Sequence, residues 1–244
     1  MLIKDPHQMP EYILNPAATV EKIHHADPEI TVYVVDDFLE NPEALMDYAR
    51  NKAYFGKVGA DKTAYPGIRD RLPSTYERAL AQAIELVLGE SKLTIHRCML
   101  SLTTLDAGQL HAVQKIPHAD TVNSEQYAAV HYLCDAPHGG TAIYRYLPRN
   151  MVRIRHSDRH VVNEMIQAIH DHPEEHQGYL VGNTQFYKQE LVVEAKFNRL
   201  TLYPGNLLHC ALLDEPASLS RDVTTGRLTV ASFFSLHPGS TLAN

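Results

Sequence analysis

The chain contains little cysteine, and the three residues present are far apart. Cys98, Cys134 and Cys210 are odd in number and form no Cys-x-x-Cys pair. This spacing suggests no disulfide framework, because such a framework needs paired cysteines. We therefore expect free, buried thiols in a reducing compartment, and a cytoplasmic location.

Long apolar segments and excess positive charge are also missing. No segment approaches the roughly 18 consecutive apolar residues of a membrane-spanning helix, and Met1–His7 lacks the basic and apolar regions of a secretory signal. The formal net charge of −7 at pH 7 disfavours non-specific binding to nucleic acid. The sequence therefore predicts neither a membrane nor a nucleic acid as a partner.

The composition is that of an ordinary globular protein, with 44% hydrophobic and 21% charged residues and no internal repeat. A length of 244 residues suits one β-barrel or sandwich domain or two small domains. Residues 54–73 are rich in glycine and proline and indicate a loop. Start and stop signals predict three helices: one beginning at Asn41-Pro42, one from Ser74 with a capping box to Glu77 and a stop at Gly89, and one near residues 158–170.

Short β-branched and apolar segments dominate the rest of the chain and predict strands. They are Ile30–Val35, Leu93–Thr104, Tyr127–Cys134, Thr141–Tyr146, Leu191–Ala195, Leu200–Tyr203, Leu207–Leu213 and Arg227–Ser235. This order predicts a mainly β fold with flanking helices: a single-domain double-stranded β-helix, or jelly roll. Residues 1–92 would supply the first strand and supporting helices. Residues 93–236 would form the core, with an insertion at 147–190 over the barrel mouth.

His118-Ala119-Asp120 is the first candidate for metal binding. On a strand, residues two apart point to the same face, so both side chains can reach one ion. Imidazole and carboxylate ligands suit Fe(II). Alone, however, the pair is weak support for a metal site, since two polar residues at a strand end have the same pattern.

His209 and Arg227 are the other two candidates. His209 lies in an apolar strand, where a histidine is usually a hydrogen-bonded core residue, but the preceding turn would bring the strand start to a barrel rim. Strand alternation places Arg227, Thr229 and Ala231 on one face. Arg227 is either a surface residue after a turn or an inward-facing cation, and in the second case it needs an anionic partner.

In four places the chain resembles the prolyl-hydroxylase-like branch of the Fe(II)/2-oxoglutarate-dependent oxygenases. The resemblance spans about Val34 to Phe234, and its order and flanking context make it more specific than any single motif. The four places are Pro117–Asp120, Tyr127–Leu133 with Gly139-Gly140-Thr141, Phe197–Asn206 followed by His209, and Gly226–Thr229.

The resemblance implies a role for each matching residue. His118, Asp120 and His209 would bind Fe(II), and Arg227 would bind the distal carboxylate of 2-oxoglutarate. Tyr132 would help to bind that carboxylate, or would be only a core aromatic residue, and Thr229 would be a weaker contributor. The implied activity is O2-dependent hydroxylation of a C–H bond with release of succinate and CO2. A carboxylate at Asp120 favours hydroxylation, because halogenating relatives have a small residue there.

Several alternatives remain open. A non-catalytic jelly roll or a cupin-like protein with another divalent metal is the competing class. His170 with His172, and His131 with His138, are weaker metal candidates. The substrate could be a protein side chain, an amino acid or a small metabolite. For the oligomeric state, a homodimer is one of the alternatives. The cationic series Arg145, Arg149, Arg153, Arg155 and Arg159 is either a solvated surface or an attractor for an acidic substrate on a mobile lid.

Overall fold

The computed structural model describes residues 10–89, 92–213 and 219–237. Met1–His7, on which the predicted lack of a secretory signal rests, lies outside these residues. In the described part of the chain, no helix is both long and apolar enough to cross a membrane.

Within the described residues, ten strands form two antiparallel sheets. The large sheet has the order β1-β2-β8-β5-β10-β4-β3, and the small sheet has the order β7-β6-β9. The strands are β1 (Thr19–Ile23), β2 (Val32–Asp36), β3 (Gly67–Arg71), β4 (Leu93–Thr103), β5 (Gln126–Tyr132), β6 (Thr141–Tyr146), β7 (Tyr187–Val193), β8 (Arg199–Pro204), β9 (His209–Ala211) and β10 (Leu228–Leu236).

From β4 onwards the chain passes back and forth between the two sheets. β4 lies in the large sheet, and an isolated bridge from His118 to His209 extends the small one. β5 returns to the large sheet, β6 and β7 form the small sheet with β9, and β8 and β10 complete the large sheet. This alternation is the jelly-roll arrangement, so the predicted fold class is confirmed.

Two helices cover the outer face of the large sheet. They are α1 (Pro42–Asn51) and α2 (Ser74–Leu88). Leu45, Tyr76 and Leu80 from the helices pack with Leu100 and Val230 from the sheet, and all five side chains are fully buried. Burial of each such side chain contributes roughly 1.5–3 kcal/mol. The other face of the sheet is thereby left to form the inner wall of the barrel.

The helix boundaries agree largely with the predicted ones. Pro42 occupies the first turn of α1, and α2 ends at Gly89 with a left-handed φ of 69°. The predicted capping box at Ser74 is wrong. The N-cap is Pro73, whose extended backbone begins the helix without a side-chain hydrogen bond, so Ser74 is already helical.

The predicted loop at residues 54–73 is also wrong in its last part. Gly67–Arg71 is strand β3, which pairs with β4 at the edge of the large sheet. Gly67 permits this pairing, because a Cβ at this position would overlap the backbone carbonyl of Leu102. Glycine and proline near a strand start are local signals for a loop. Pairing with a long neighbouring strand, which is a non-local effect, outweighs them.

The segment 147–190 differs in position from the prediction. It contains α3 (Arg159–Asp171), close to the predicted bounds, but α3 packs on the outer face of the small sheet. There Val161 and Met165 contact the cluster that includes Tyr144 and Tyr187. Of this segment, Tyr179 and Leu180 in the loop after α3 line the cavity between the two sheets. The segment also ends earlier than predicted, because β7 begins at Tyr187.

Candidate active site

Backbone pairing brings His118 and His209 together. The N–H of each donates to the carbonyl of the other, at 2.9 Å in both directions. Their rings lie 4.4 Å apart between centroids, at an interplanar angle of 49°. Two residues that are distant in the sequence thus become neighbours on one side of the small sheet.

Asp120 completes a cluster of three potential ligands. Its backbone N–H donates to the carbonyl of Gly205 at 2.7 Å, which turns the carboxylate towards both rings. One carboxylate oxygen lies 3.5 Å from His118 Nε2 and the other 3.4 Å from His209 Nε2. One ligand atom from each residue lies within 4.8 Å of the others, and no second such group of three occurs in the described residues. Two imidazoles and a carboxylate are the ligand set of non-haem Fe(II) sites.

The protonation state of His209 suits a metal ligand. Its Nδ1 donates to the carbonyl of Leu207 at 2.8 Å, because a carbonyl can only accept. Nε2 is therefore left with its lone pair on the side of Asp120. Burial lowers the pKa of His209 to about 4, although Asp120 opposes the shift. Burial tends to raise the pKa of Asp120, but the neighbouring His209 and His118 outweigh this and hold it below its usual value.

A cavity of about 290 Å³ opens beside this cluster, between the two sheets. Apolar residues supply part of its wall, among them Ile116, Val130, Ala231 and Phe233. The polar residues His118, Asp120, His209, Arg227 and Thr229 line it as well. The structure therefore places five of the six predicted site residues around one space.

Arg227 is buried in this wall without an acidic partner. Its side chain is 3% exposed, and one terminal nitrogen donates to the carbonyl of Gly140 at 3.0 Å. Its Nε is buried and has no hydrogen-bond partner. In the three described ranges, no carboxylate forms an ion pair with it. An unpaired buried cation is costly, so the site is suited to an anionic ligand.

Tyr132 and Thr229 lie beside this arginine. The Arg227 guanidinium is 5.9 Å from the centre of the Tyr132 ring. The hydroxyl of Tyr132 is hydrogen-bonded to Thr141 at 2.6 Å, and Thr141 lines the cavity. Thr229 is paired with Tyr132 across β5 and β10. Tyr132 itself does not line the cavity, and its hydroxyl contacts the cavity wall through the hydrogen bond to Thr141.

Several lining residues were not recognised from the sequence. Tyr65 and Arg69 were missed because their segment was assigned to a loop. Arg97 could have been found, since alternation along β4 places it on the same face as Ser101 and Thr103. Tyr179 carries no local signal at all: it comes from the loop after α3 and donates to the carbonyl of Leu105 at 2.7 Å.

The weaker histidine candidates do not join the cluster. His131 faces the helices and contacts Tyr76, while His138 Nε2 lies 3.2 Å from the carbonyl of Thr225. His172 lies 3.3 Å from Glu174, and neither it nor His170 belongs to the three-residue group.

The cationic series that runs from Arg145 on β6 into the insertion is largely paired within the molecule. Arg145 binds Asp27 and Glu190, each at 2.6 Å. The other pairs are Arg149 with Glu164, Arg153 with the carbonyl of Glu29, and Arg155 with the carboxylate of Glu29. These four arginines therefore do not form the unpaired cationic surface that an electrostatic lid requires.

The chain is distantly similar to several solved structures. HygX from Streptomyces hygroscopicus with nickel and 2-oxoglutarate bound has 12% identity, a TM-score of 0.49 and coverage of 84% of this chain and 82% of HygX. An N-substituted L-amino acid dioxygenase from Burkholderia ambifaria AMMD has 11% identity, a TM-score of 0.45 and coverage of 91% and 96%. A prolyl hydroxylase from Trichoplax adhaerens has 10% identity, a TM-score of 0.41 and coverage of 84% and 82%.

These identities and TM-scores are too low to transfer an activity, so a functional assignment has to rest on the residues of the cavity. No curated protein matches the chain significantly. One family does match, over residues 16–234, and it is described as a family of unknown function, DUF6445. Because this match spans most of the chain, the protein belongs to that family.

Proposed function

We propose that this protein is an Fe(II)- and 2-oxoglutarate-dependent oxygenase that hydroxylates a C–H bond of its substrate. One observation carries the proposal: the His118, Asp120 and His209 cluster shares a cavity with Arg227, a buried arginine that has no acidic partner in the described residues. A metal site alone fits many proteins. A metal site beside an unpaired buried arginine fits a metal-chelating co-substrate with a distant carboxylate.

The residues present fit Fe(II). His118, Asp120 and His209 would hold the ion with three protein ligands, leaving positions for a co-substrate and for O2. Nδ1 of His209 is already engaged by Leu207, so this ring is oriented before metal binds. Iron and 2-oxoglutarate, when bound, supply the activation of O2, with release of succinate and CO2.

Arg227 would hold 2-oxoglutarate by its distal carboxylate. Its Nε–H is buried and has no hydrogen-bond partner, so this donor is already desolvated before a ligand binds. A guanidinium can bind a carboxylate in a bidentate manner. We assign Thr229 and Tyr132 as supporting residues, the latter orienting Thr141 through their hydrogen bond. The apolar walls would exclude water from the bound co-substrate.

Anaerobic titration of the Fe(II)-loaded protein with 2-oxoglutarate tests the proposal. We expect a weak visible charge-transfer band in the wild type, and succinate formation once O2 is admitted. Arg227→Ala should require much more 2-oxoglutarate for the same band, whereas Arg199→Ala should not. Arg199 is a suitable control because it is already paired with Asp36 at 2.6 Å.

The same titration separates the competing class. A cupin-like or non-catalytic jelly roll would bind a divalent metal without developing the band when 2-oxoglutarate is added. That result, obtained with protein shown to contain Fe(II), would overturn the proposed activity.

A further inference from the structure

A second arginine, Arg69 on β3, is held rigidly in the cavity wall. Its side chain is 9% exposed. One terminal nitrogen, Nη1, donates to Asp61 at 3.2 Å and to Thr63 at 3.3 Å. The guanidinium also lies 3.9 Å from the centre of the Tyr65 ring. These contacts fix the orientation of the group without using all of its donors.

The unused donors form one edge of the guanidinium. Nε of Arg69 is buried and has no partner. Within the described residues, the hydrogen bonds of this guanidinium both come from Nη1, which leaves the second terminal nitrogen unused. Nε–H and the adjacent N–H are the parallel donors that bind a carboxylate in a bidentate manner. Leaving a buried donor unpaired costs roughly 1–3 kcal/mol, so this edge is suited to a ligand.

Arg69 and Arg227 approach the cavity from opposite sides of β4. Arg69 is paired with Ser101 of β4, and Thr229, two residues after Arg227, is paired with the same serine from β10. The two outer strands are therefore two strand spacings apart, about 10 Å. Both arginines line the cavity. Because the strands that carry them are this far apart, each arginine can bind its own carboxylate.

With Fe(II) and 2-oxoglutarate bound, one positive charge around the cavity would have no negative counterpart. Fe(II) and Arg227 would be balanced by Asp120 and the two carboxylates of 2-oxoglutarate, and Asp61 balances Arg69, with which it forms an ion pair at 3.2 Å. Arg97 lies over the ring of Phe233 at 4.5 Å and lines the cavity. The described residues supply it with no acidic partner. The remaining positive charge matches one substrate carboxylate.

We propose that the substrate is a carboxylic acid with an apolar body, and that Arg69 binds its carboxylate while Arg97 adds positive charge nearby. The inference rests on the proposed function, because it assigns 2-oxoglutarate to Arg227. Phe233 and Val130 supply the apolar surface for the rest of the molecule. Arg69 is thus a specificity-determining residue.

Ligand-observed NMR with a matched pair of probes tests this assignment. The probes are 3-phenylpropanoate and 3-phenylpropanamide, which differ in charge but hardly in shape. The protein is loaded with Zn(II), a redox-inert ion that His and Asp also bind, and saturated with 2-oxoglutarate to occupy Arg227. We expect the acid to bind with a millimolar or lower Kd and the amide at least about tenfold more weakly.

Arg69→Gln should weaken binding of the acid at least about tenfold and leave binding of the amide unchanged. Arg97→Gln should weaken binding of the acid less, since Arg97 adds positive charge near the carboxylate without binding it directly. Arg78→Gln is the matched control: this arginine lies on α2, outside the cavity, and pairs with Glu11 at 2.5 Å. Unchanged binding of Zn(II) in each variant shows that the fold is intact.

Three results would overturn the proposal: equal binding of acid and amide, undiminished binding of the acid to Arg69→Gln, or no binding of the acid up to about 10 mM. A loss of 2-oxoglutarate affinity in Arg69→Gln without a change for the probe would also overturn it, by assigning Arg69 to the co-substrate. If the wild type binds no 2-oxoglutarate, the proposed function fails. The acid and amide are then compared in Arg227→Gln, where only the Arg69 subsite remains.

Discussion

Two buried histidines, His131 beneath the helices and His209 at the cavity, differ in what their ring nitrogens contact. On the face covered by helices, His131 is fully buried with both ring nitrogens in contact: the Tyr76 hydroxyl at 3.3 Å and Asn198 Oδ1 at 3.2 Å. Phe38 packs edge-on against the ring at 4.9 Å. Burial lowers the pKa of His131 to about 3, so the ring is neutral.

At the cavity, His209 of β9 is also buried, with 5% of its surface exposed, but only one of its ring nitrogens is bonded to the backbone. The other faces Asp120, and both Arg227 and Arg69 have an Nε without a partner. Buried polar groups in native proteins normally find partners. The contrast teaches that a buried histidine with both ring nitrogens bonded supports the fold, whereas a buried histidine beside a carboxylate and two arginines with unpartnered Nε atoms in one cavity indicates a ligand site.

The largest expected effect follows from His209→Ala. Because only three protein ligands hold the metal, losing one should abolish tight Fe(II) binding and turnover. His131→Ala should instead retain metal in its folded fraction and lose stability. Metal content after desalting and succinate formation check both variants. Turnover of His209→Ala close to that of the wild type would show that the cluster is not the iron site.

Arg227→Ala should have the next largest effect. Truncating one partner of a buried, charge-assisted contact costs roughly 2–5 kcal/mol, which raises the half-saturating 2-oxoglutarate concentration by more than tenfold. Fe(II) affinity should change little. Arg145→Ala is the counterpart, since Arg145 is paired with Asp27 and Glu190. A shift below about threefold in Arg227→Ala would contradict the assignment of this arginine.

His131 should make the stability of the metal-free protein pH-dependent. Its pKa is about 3 in the folded protein against 6.5 when unperturbed, so the unfolded chain binds the extra proton first as pH falls. The free energy of unfolding should therefore fall by about 2–3 kcal/mol between pH 6.5 and about pH 4.5.

Urea unfolding at several pH values measures this effect. His131→Gln removes the titrating group and should give a shallower pH dependence than the wild type. His209 contributes in the same direction because its pKa is lowered to about 4, so part of the slope should persist in this variant. An identical slope in His131→Gln and the wild type would show that His131 does not titrate as its burial implies.

Arg155→Gln should have the smallest effect. Its side chain and that of Glu29 are 50% and 41% exposed, and surface ion pairs of this kind typically contribute about 0–1 kcal/mol. We expect near-wild-type unfolding and an unchanged requirement for 2-oxoglutarate. A marked, salt-dependent loss of substrate binding in Arg155→Gln would instead support an electrostatic role of the insertion in substrate capture.

Local sequence features account for much of the fold. Short β-branched and apolar segments predict β4, β6 and β10 close to their observed bounds, and the side chains of each strand alternate between its two faces. Pro42 and Gly89 mark helix ends through their backbone preferences alone. The same alternation places Arg227 and Thr229 on one face, as the cavity wall shows.

What the sequence did not reveal depends on contacts between distant segments. β3 exists because Gly67–Arg71 pairs with β4, and this pairing brings Arg69 into the cavity. In the sequence, Arg145 and Arg155 belong to an apparently free cationic series, but in the folded chain they pair with Asp27 and Glu29. The residue pattern of a strand predicts which of its side chains share a face. Which other strand lies next to that face is determined by contacts between distant segments in the folded chain. For that reason the sequence could name His118 and His209, while the reciprocal backbone hydrogen bonds between them are a property of the tertiary structure.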